Sequence, residues 1–233
     1  MTALQAVIGI VNDLADAPAD RVAKPAKPIP SGLVSPGLAQ VVGGISIAVG
    51  IGLSALSGWG TVAIAAAGLA IGVAYDLRLK GTAWSWLPFA LGIPLLPTYA
   101  WYGATGSLPP EFAVLVPAAV AAGAALAIGN ARADLERDRA SGVASIATAL
   151  GPDRAWAVET AILAGVGVVA IASAAAAGGS IGRVAIVGLA ALIPIGAALG
   201  SRRLSPGGRE RAWEAEAVGV AALGVAWLWV AVA

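Results

Sequence analysis

No cysteine and no histidine occur in the 233 residues. The first absence excludes a disulfide framework and thiol chemistry. The second removes imidazole as base, nucleophile or metal ligand. Any metal must therefore sit on oxygen, which favours a hard cation such as Mg²⁺. Charge is scarce too: 12% of residues are charged and 59% are hydrophobic, and the mean hydropathy is +0.86. Soluble domains are roughly 25% charged and about 45–50% apolar. A soluble protein of this size could not hide the difference. The chain reads as all-α, a polytopic membrane bundle among lipids. A net charge of +1 gives no ground for a nucleic-acid partner. The first residues lack a basic n-region and meet Asn12 and Asp13 early, so no cleavable signal peptide is expected.

Apolar blocks and their punctuation divide the chain. Met1–Val11 is apolar but short, about half of a ~30 Å hydrocarbon core, and Pro18 is expected to end its helix. A loop with Arg21, Lys24, Lys27 and three prolines comes next, closing on Pro30-Ser31-Gly32. Seven full spans are then expected: Leu38–Leu56, Thr61–Tyr75, Trp86–Tyr102, Phe112–Gly129, Trp156–Ala177, Val184–Leu199 and Ala215–Val232. Threading them alternately puts every Lys and Arg but Arg183 on one side, which the positive-inside rule makes cytoplasmic, with the cell inner membrane as the location. The tryptophans fall at span ends, where indoles sit at membrane interfaces.

Against this background one polar pattern occurs twice. Asn12-x-x-x-Asp16-x-x-x-Asp20-Arg21 returns as Asn130-x-x-x-Asp134-x-x-x-Asp138-Arg139. On a helix, residues four apart share a face, so each copy is a polar stripe ending a hydrophobic segment. A single Asp after an apolar run is ordinarily a solvated loop residue or a cap. Two copies with the same spacing on the same side call for another account. The repetition suggests one domain over residues 1–233 built from two pseudo-repeats, about 1–110 and 111–233, whose stripes converge at one cytoplasmic mouth. So many carboxylates repel one another unless cations lie between them. Mg²⁺ binds a few carboxylates and completes its shell with water and phosphate, while Arg21, Lys24, Lys27, Lys80 and Arg139 can hold the phosphate. Acid, metal and base together suit a diphosphate with a greasy tail in the apolar chamber beyond.

These residues resemble a family. Asn12-Asp13-x-x-Asp16-x-x-x-Asp20-Arg21, then Lys27-Pro28-Ile29-Pro30-Ser31-Gly32, and Asn130-x-x-x-Asp134-x-x-x-Asp138 with Gly142 downstream are similar to the motifs of the UbiA superfamily of intramembrane prenyltransferases. Tyr75 to Lys80 looks like that family's loop between the two Asp motifs. The resemblance covers the chain from Asn12 to its end. It implies a UbiA-like bundle, Mg²⁺ as cofactor, a prenyl diphosphate donor and an aromatic or other lipophilic acceptor. It implies metal ligation by Asn12, Asp13, Asp16, Asp20, Asn130, Asp134 and Asp138, with Asp16, Asp20, Asp134 and Asp138 at the chemistry. Arg21, Lys27, Lys80 and Arg139 would hold the diphosphate, and the Tyr75 ring would face an allylic cation. Two departures stand out. The family has nine spans, of which the first and much of the second are missing here, and Ala131 stands where relatives often carry Asn or Asp.

A terpene cyclase on the same scaffold and an inactive truncated homologue are the alternatives. A transporter would place its ionisable groups nearer the midplane. Glu159 and Glu216 read as helix N-terminal acids without a function, Asp76 and Glu136 as solvated partners of nearby bases, and Arg132 as a topology signal.

Overall fold

The structure is a computed structural model and describes residues 1–232. Eleven α-helices succeed one another among the described residues: α1 (Thr2–Ala23), α2 (Pro36–Leu56), α3 (Trp59–Ala74), α4 (Trp86–Gly92), α5 (Leu95–Thr105), α6 (Phe112–Ala133), α7 (Leu135–Ser141), α8 (Ile146–Leu150), α9 (Pro152–Ala176), α10 (Ile181–Gly200) and α11 (Pro206–Ala231). The all-helical membrane bundle expected from composition is present. Among the described residues six helices are long and apolar enough to cross a membrane. The expected seventh span, Trp86–Tyr102, is instead broken into α4 and α5. Pro94 has no N–H to continue the ladder, and its ring clashes with the preceding turn. Pro88 and Pro97 fall in first turns of α4 and α5, where proline is tolerated.

The start of the chain also differs from expectation. Pro18 does not end α1, which continues to Ala23. A proline removes one helical hydrogen bond. Here Lys27 bridges Asp13 on one side of Pro18 and Asp20 on the other, and this clip spans the weakened turn.

The contacts divide the chain into two compact units, residues 1–80 with 95–107, and residues 81–94 with 108–232. In the first, α1 packs on α2 and α3, and α3 packs on α5. Leu4 and Val7 of α1 are buried against small residues. A Cβ on Gly50 of α2 would lie 2.6 Å from Leu4 Cδ2, and one on Gly72 of α3 would collide with Ile8. Ser54 of α2 and Tyr99 of α5 share a hydrogen bond of 3.0 Å. The large apolar side chains of α2, among them Leu38, Val41, Ile45, Leu53 and Leu56, point outward. Small residues inside and bulky ones outside is the arrangement that lipid, which offers helices no hydrophobic drive to associate, selects.

The second unit repeats that logic with α6 at its centre, in contact with α4, α9 and α11, while α10 packs on α9 and α11. A Cβ on Gly123 of α6 would meet the α4 backbone at 2.9 Å, and one on Gly219 of α11 would lie 2.6 Å from the Pro194 ring of α10. The proline ring and its backbone nitrogen cannot swing aside. Gly219→Ala is therefore expected to destabilise the chain by about 1–3 kcal/mol through overpacking. Gly224→Ala, on the same helix with nothing near its would-be Cβ, should cost nothing and gain helix propensity. Thermal unfolding of both variants in detergent checks this, and equal midpoints would contradict it.

Candidate active site

In the first unit the acidic stripe occupies the last turns of α1. Asn12, Asp16 and Asp20 succeed one another at four-residue steps, and Asp13 and Asp20 lie two turns apart. Two lysines from distant parts of the chain hold the stripe. Lys27 lies in the loop after α1, which turns back on itself: Ser31 N–H donates to the Lys27 carbonyl at 2.9 Å and Val34 N–H to the Pro28 carbonyl at 3.0 Å. Gly32, at φ +80°, takes the left-handed conformation that ends this fold at little cost. The Lys27 ammonium is then 2.9 Å from Asp13 Oδ1 and 2.7 Å from Asp20 Oδ2.

Lys80 reaches the same helix from the other direction. After Ala74, α3 widens into a π-helical turn over Tyr75–Leu79, and Lys80 N–H donates to the Tyr75 carbonyl at 2.8 Å. The extra residue in the turn rotates the chain beyond it, including Lys80. Such turns recur at functional sites. Lys80 Nζ donates to Asn12 Oδ1 at 2.7 Å and to Asp16 Oδ2 at 2.5 Å. The electrostatics agree with the pairing. Hydrogen bonding to Lys27 holds the Asp20 carboxyl below its usual range, and hydrogen bonds to Asp20 and Asp13 hold the Lys27 ammonium above its own.

In the second unit the stripe crosses a break between helices. α6 ends at Ala133, Asp134 links it to α7, and Asp138 lies within α7. The four-residue step survives in the backbone, since Asp134 N–H donates to the Asn130 carbonyl at 3.2 Å and Asp138 N–H to the Asp134 carbonyl at 2.9 Å. Gly142, at φ +69°, terminates α7. Asn130 is exposed, and Asp134 and Asp138 are half-exposed. Arginines serve here: Arg137 pairs with Asp134, and Arg209 of α11 pairs with Glu136 of α7. Partial burial pushes the Glu136 carboxyl up, but the hydrogen bond from Arg209, a backbone hydrogen bond and the charges of Arg209 and Arg139 together bring it below its ordinary value.

The site residues expected from sequence thus fall into two groups, one in each unit. Asn12, Asp13, Asp16, Asp20, Lys27 and Lys80 form one interlocked set. Asn130, Asp134 and Asp138 share a second stripe. Arg21 and Arg139 are exposed beside their motifs and outside these ion pairs. Tyr75 is half-buried in the π turn. Carboxylate and amide oxygens are the donors a hard cation takes, so the donor set fits Mg²⁺. Among the described residues no three acidic side chains close on one point tightly enough to hold an ion unaided.

Two kinds of residue escaped sequence reasoning. The π turn has no signal in hydrophobic periodicity. Glu159 and Glu216 are not helix-end acids: they are 0% and 1% exposed, and Arg132, at 4%, is buried with them. The clue was their position well inside apolar spans, where an ionisable residue calls for a partner.

Residues 1–220 match the UbiA prenyltransferase family. The chain belongs to that family. Its fold is similar to that of a digeranylgeranylglyceryl phosphate synthase, with a TM-score of 0.80 at 16% identity over 99% of this chain and 82% of that one. It is also similar to the apo structure of a UbiA homologue from Aeropyrum pernix, with a TM-score of 0.72 at 21% identity over 97% of this chain and 85% of that one. A UbiA homologue from Archaeoglobus fulgidus bound to GPP and Mg²⁺ gives 0.68 at 19% identity, over 98% and 84%. In sequence, 72 residues are 42% identical to the digeranylgeranylglyceryl phosphate synthase of Methanopyrus kandleri, a stretch that is 31% of this chain and 27% of that enzyme.

The Lys27 clip has a consequence for acid stability. Asp20 titrates lower in the folded chain than its ordinary value of 3.8. Its contribution is therefore present above that value and is lost as pH falls through the lowered one. A Lys27→Gln chain should be less stable than its parent at neutral pH, unfold at a higher pH on acidification, and converge with the parent below the Asp20 titration. Circular dichroism during acid titration reads the two midpoints, and coincident midpoints would contradict the clip.

Proposed function

We propose that this family member is a Mg²⁺-dependent intramembrane prenyltransferase, moving a polyprenyl group from its diphosphate to an aromatic or other lipophilic acceptor at the cytoplasmic face of the cell inner membrane. The observation that carries this reading is the bracketing of one helical stripe by two lysines, Lys27 on Asp13 and Asp20 and Lys80 on Asn12 and Asp16. Each ammonium already sits among oxygens and can exchange a carboxylate for a phosphate oxygen with no loss of charge pairing. Support also comes from GPP and Mg²⁺ in the Archaeoglobus fulgidus homologue and from the synthase activity named for the Methanopyrus kandleri relative.

In this reading each stripe would hold metal by its own oxygens, Asn12, Asp13, Asp16 and Asp20 in the first unit and Asn130, Asp134 and Asp138 in the second. Bound Mg²⁺ would neutralise negative charge on the diphosphate and favour its departure. Lys27, Lys80, Arg21 and Arg139 hold the phosphate oxygens and stabilise the charge that builds as the bond between the prenyl carbon and the diphosphate breaks. The electron pair leaves with the diphosphate, and the Tyr75 ring face stabilises the allylic cation. The acceptor forms a bond to the prenyl carbon and gives up a proton. The apolar helices keep water from that cation.

Incubating the chain in nanodiscs with geranylgeranyl diphosphate, Mg²⁺ and candidate acceptors, and measuring diphosphate release and prenylated product, tests the proposal. EDTA should abolish release and Mg²⁺ restore it. Asp16→Asn, Asp20→Asn and Asp134→Asn should each lower turnover on the order of 100-fold, the scale for losing one charge-stabilising group. Release that ignores EDTA, or survives all three changes, would overturn the assignment. A cyclic hydrocarbon formed without acceptor would replace transferase with terpene cyclase.

A further inference from the structure

Three ionisable side chains of the second unit lie outside the stripes and are almost wholly buried: Arg132 on α6, Glu159 on α9 and Glu216 on α11. Arg132 Nη1 donates to Glu159 Oε2 and, at 3.1 Å, to Ser201 Oγ just beyond α10. Ser201 in turn donates to the Ala198 carbonyl at 2.8 Å, which also accepts from Trp156 Nε1 of α9 at 2.9 Å. Trp213 Nε1 of α11 donates to the Leu126 carbonyl of α6 at 2.9 Å. Gly129 lies in the same contact, where a Cβ would collide with Glu159 Oε1 and come within 3.0 Å of Glu216 Oε2. Charged and polar groups from three neighbours thus grip one face of α6.

A span gains no evident stability from such a cluster. Burying charges is expensive, and well-packed apolar side chains often replace a buried ion pair without loss. What hydrogen-bonded charges add is direction. Arg132 lies two residues from both Asn130 and Asp134, about 200° around the helix at 3.6 residues per turn. Its face is buried while Asn130 is exposed and Asp134 half-exposed.

We propose that the buried Arg132–Glu159–Glu216 cluster, with Ser201, is a positioning device that fixes the rotation of α6 and so turns Asn130 and Asp134 outward to the metal and diphosphate. The inference rests on the metal–diphosphate reading of the stripes. None of the four residues touches substrate in this scheme, and their effect passes through the stripe.

The test uses the full chain in detergent, with Mn²⁺ and inorganic pyrophosphate as the probe, binding read by electron paramagnetic resonance and folding by thermal unfolding. A triple variant, Arg132→Met with Glu159→Leu and Glu216→Leu, fills the site with apolar side chains. It is expected to unfold at or above the parent's midpoint and to bind Mn²⁺–pyrophosphate at least ten-fold more weakly. A purely structural cluster would leave that affinity alone. A folded triple variant with the parent's affinity overturns the positioning role. Should the triple variant not fold, Arg132→Lys, which keeps the buried charge but not the planar fork, carries the same comparison: at least three-fold weaker binding is expected, and unchanged affinity overturns the role. Absence of binding in the parent would remove the metal–diphosphate reading and this inference with it. Equal binding by parent and variants removes this inference alone.

Discussion

Four oxygen-bearing side chains leave one end of α1 within three turns, and three of them are carboxylates. Left alone they would repel one another and destabilise the helix end that carries them. Lys27 and Lys80 remove the conflict by lying between pairs of acceptors. The local architecture meets that requirement. The loop after α1 must double back to deliver Lys27, and α3 must gain a residue in its last turn to deliver Lys80. α1 must remain helical through Pro18 for Asp13 and Asp20 to share one lysine.

Those demands can be met only if the helices approach closely. Gly50 and Gly72 let Leu4 and Ile8 of α1 sit against α2 and α3, which places the first stripe within reach of both lysines. Bulky side chains at these glycines would move α1 outward by ångströms, more than an ammonium–carboxylate contact tolerates. In lipid, where apolar surface alone does not draw helices together, the glycines that pack the unit are also what allows its polar end to form.

How much of this the sequence disclosed depended on the kind of signal. The membrane class, the helical bundle and the two stripes were legible because composition and four-residue spacing report them directly. The pairing of Lys27 and Lys80 with the first stripe was legible only as a collection of bases near acids, since no periodicity says which loop folds back on which helix. Pro18 misled because the local rule for proline omits an ion pair spanning the weakened turn. Trp86–Tyr102 misled in the opposite sense: its hydropathy reads as a span, while Pro94 divides it into two short helices. Glu159 and Glu216 were misread because each falls within about one turn of where its apolar run begins, which suggested a helix N-terminus, whereas α9 and α11 start earlier, at Pro152 and Pro206, and the neighbours that bury them come from other parts of the chain.

The two stripes share a spacing but not a chemistry of compensation, and the difference bears on how each meets a ligand. The first is neutralised by lysines, compact charges on flexible stems, which on the proposed reading would follow a phosphate. In the second, Arg137 and half-exposed Asp134 pair across three residues at the surface, the kind of contact worth little in water, which on the proposed reading would give way to a metal. The strong arginine contact of α6 lies on its other face, where Arg132 is buried against Glu159. On that reading, weak pairing just beyond the end of α6 and firm pairing on its buried face let the helix keep its orientation while Asp134 changes partners.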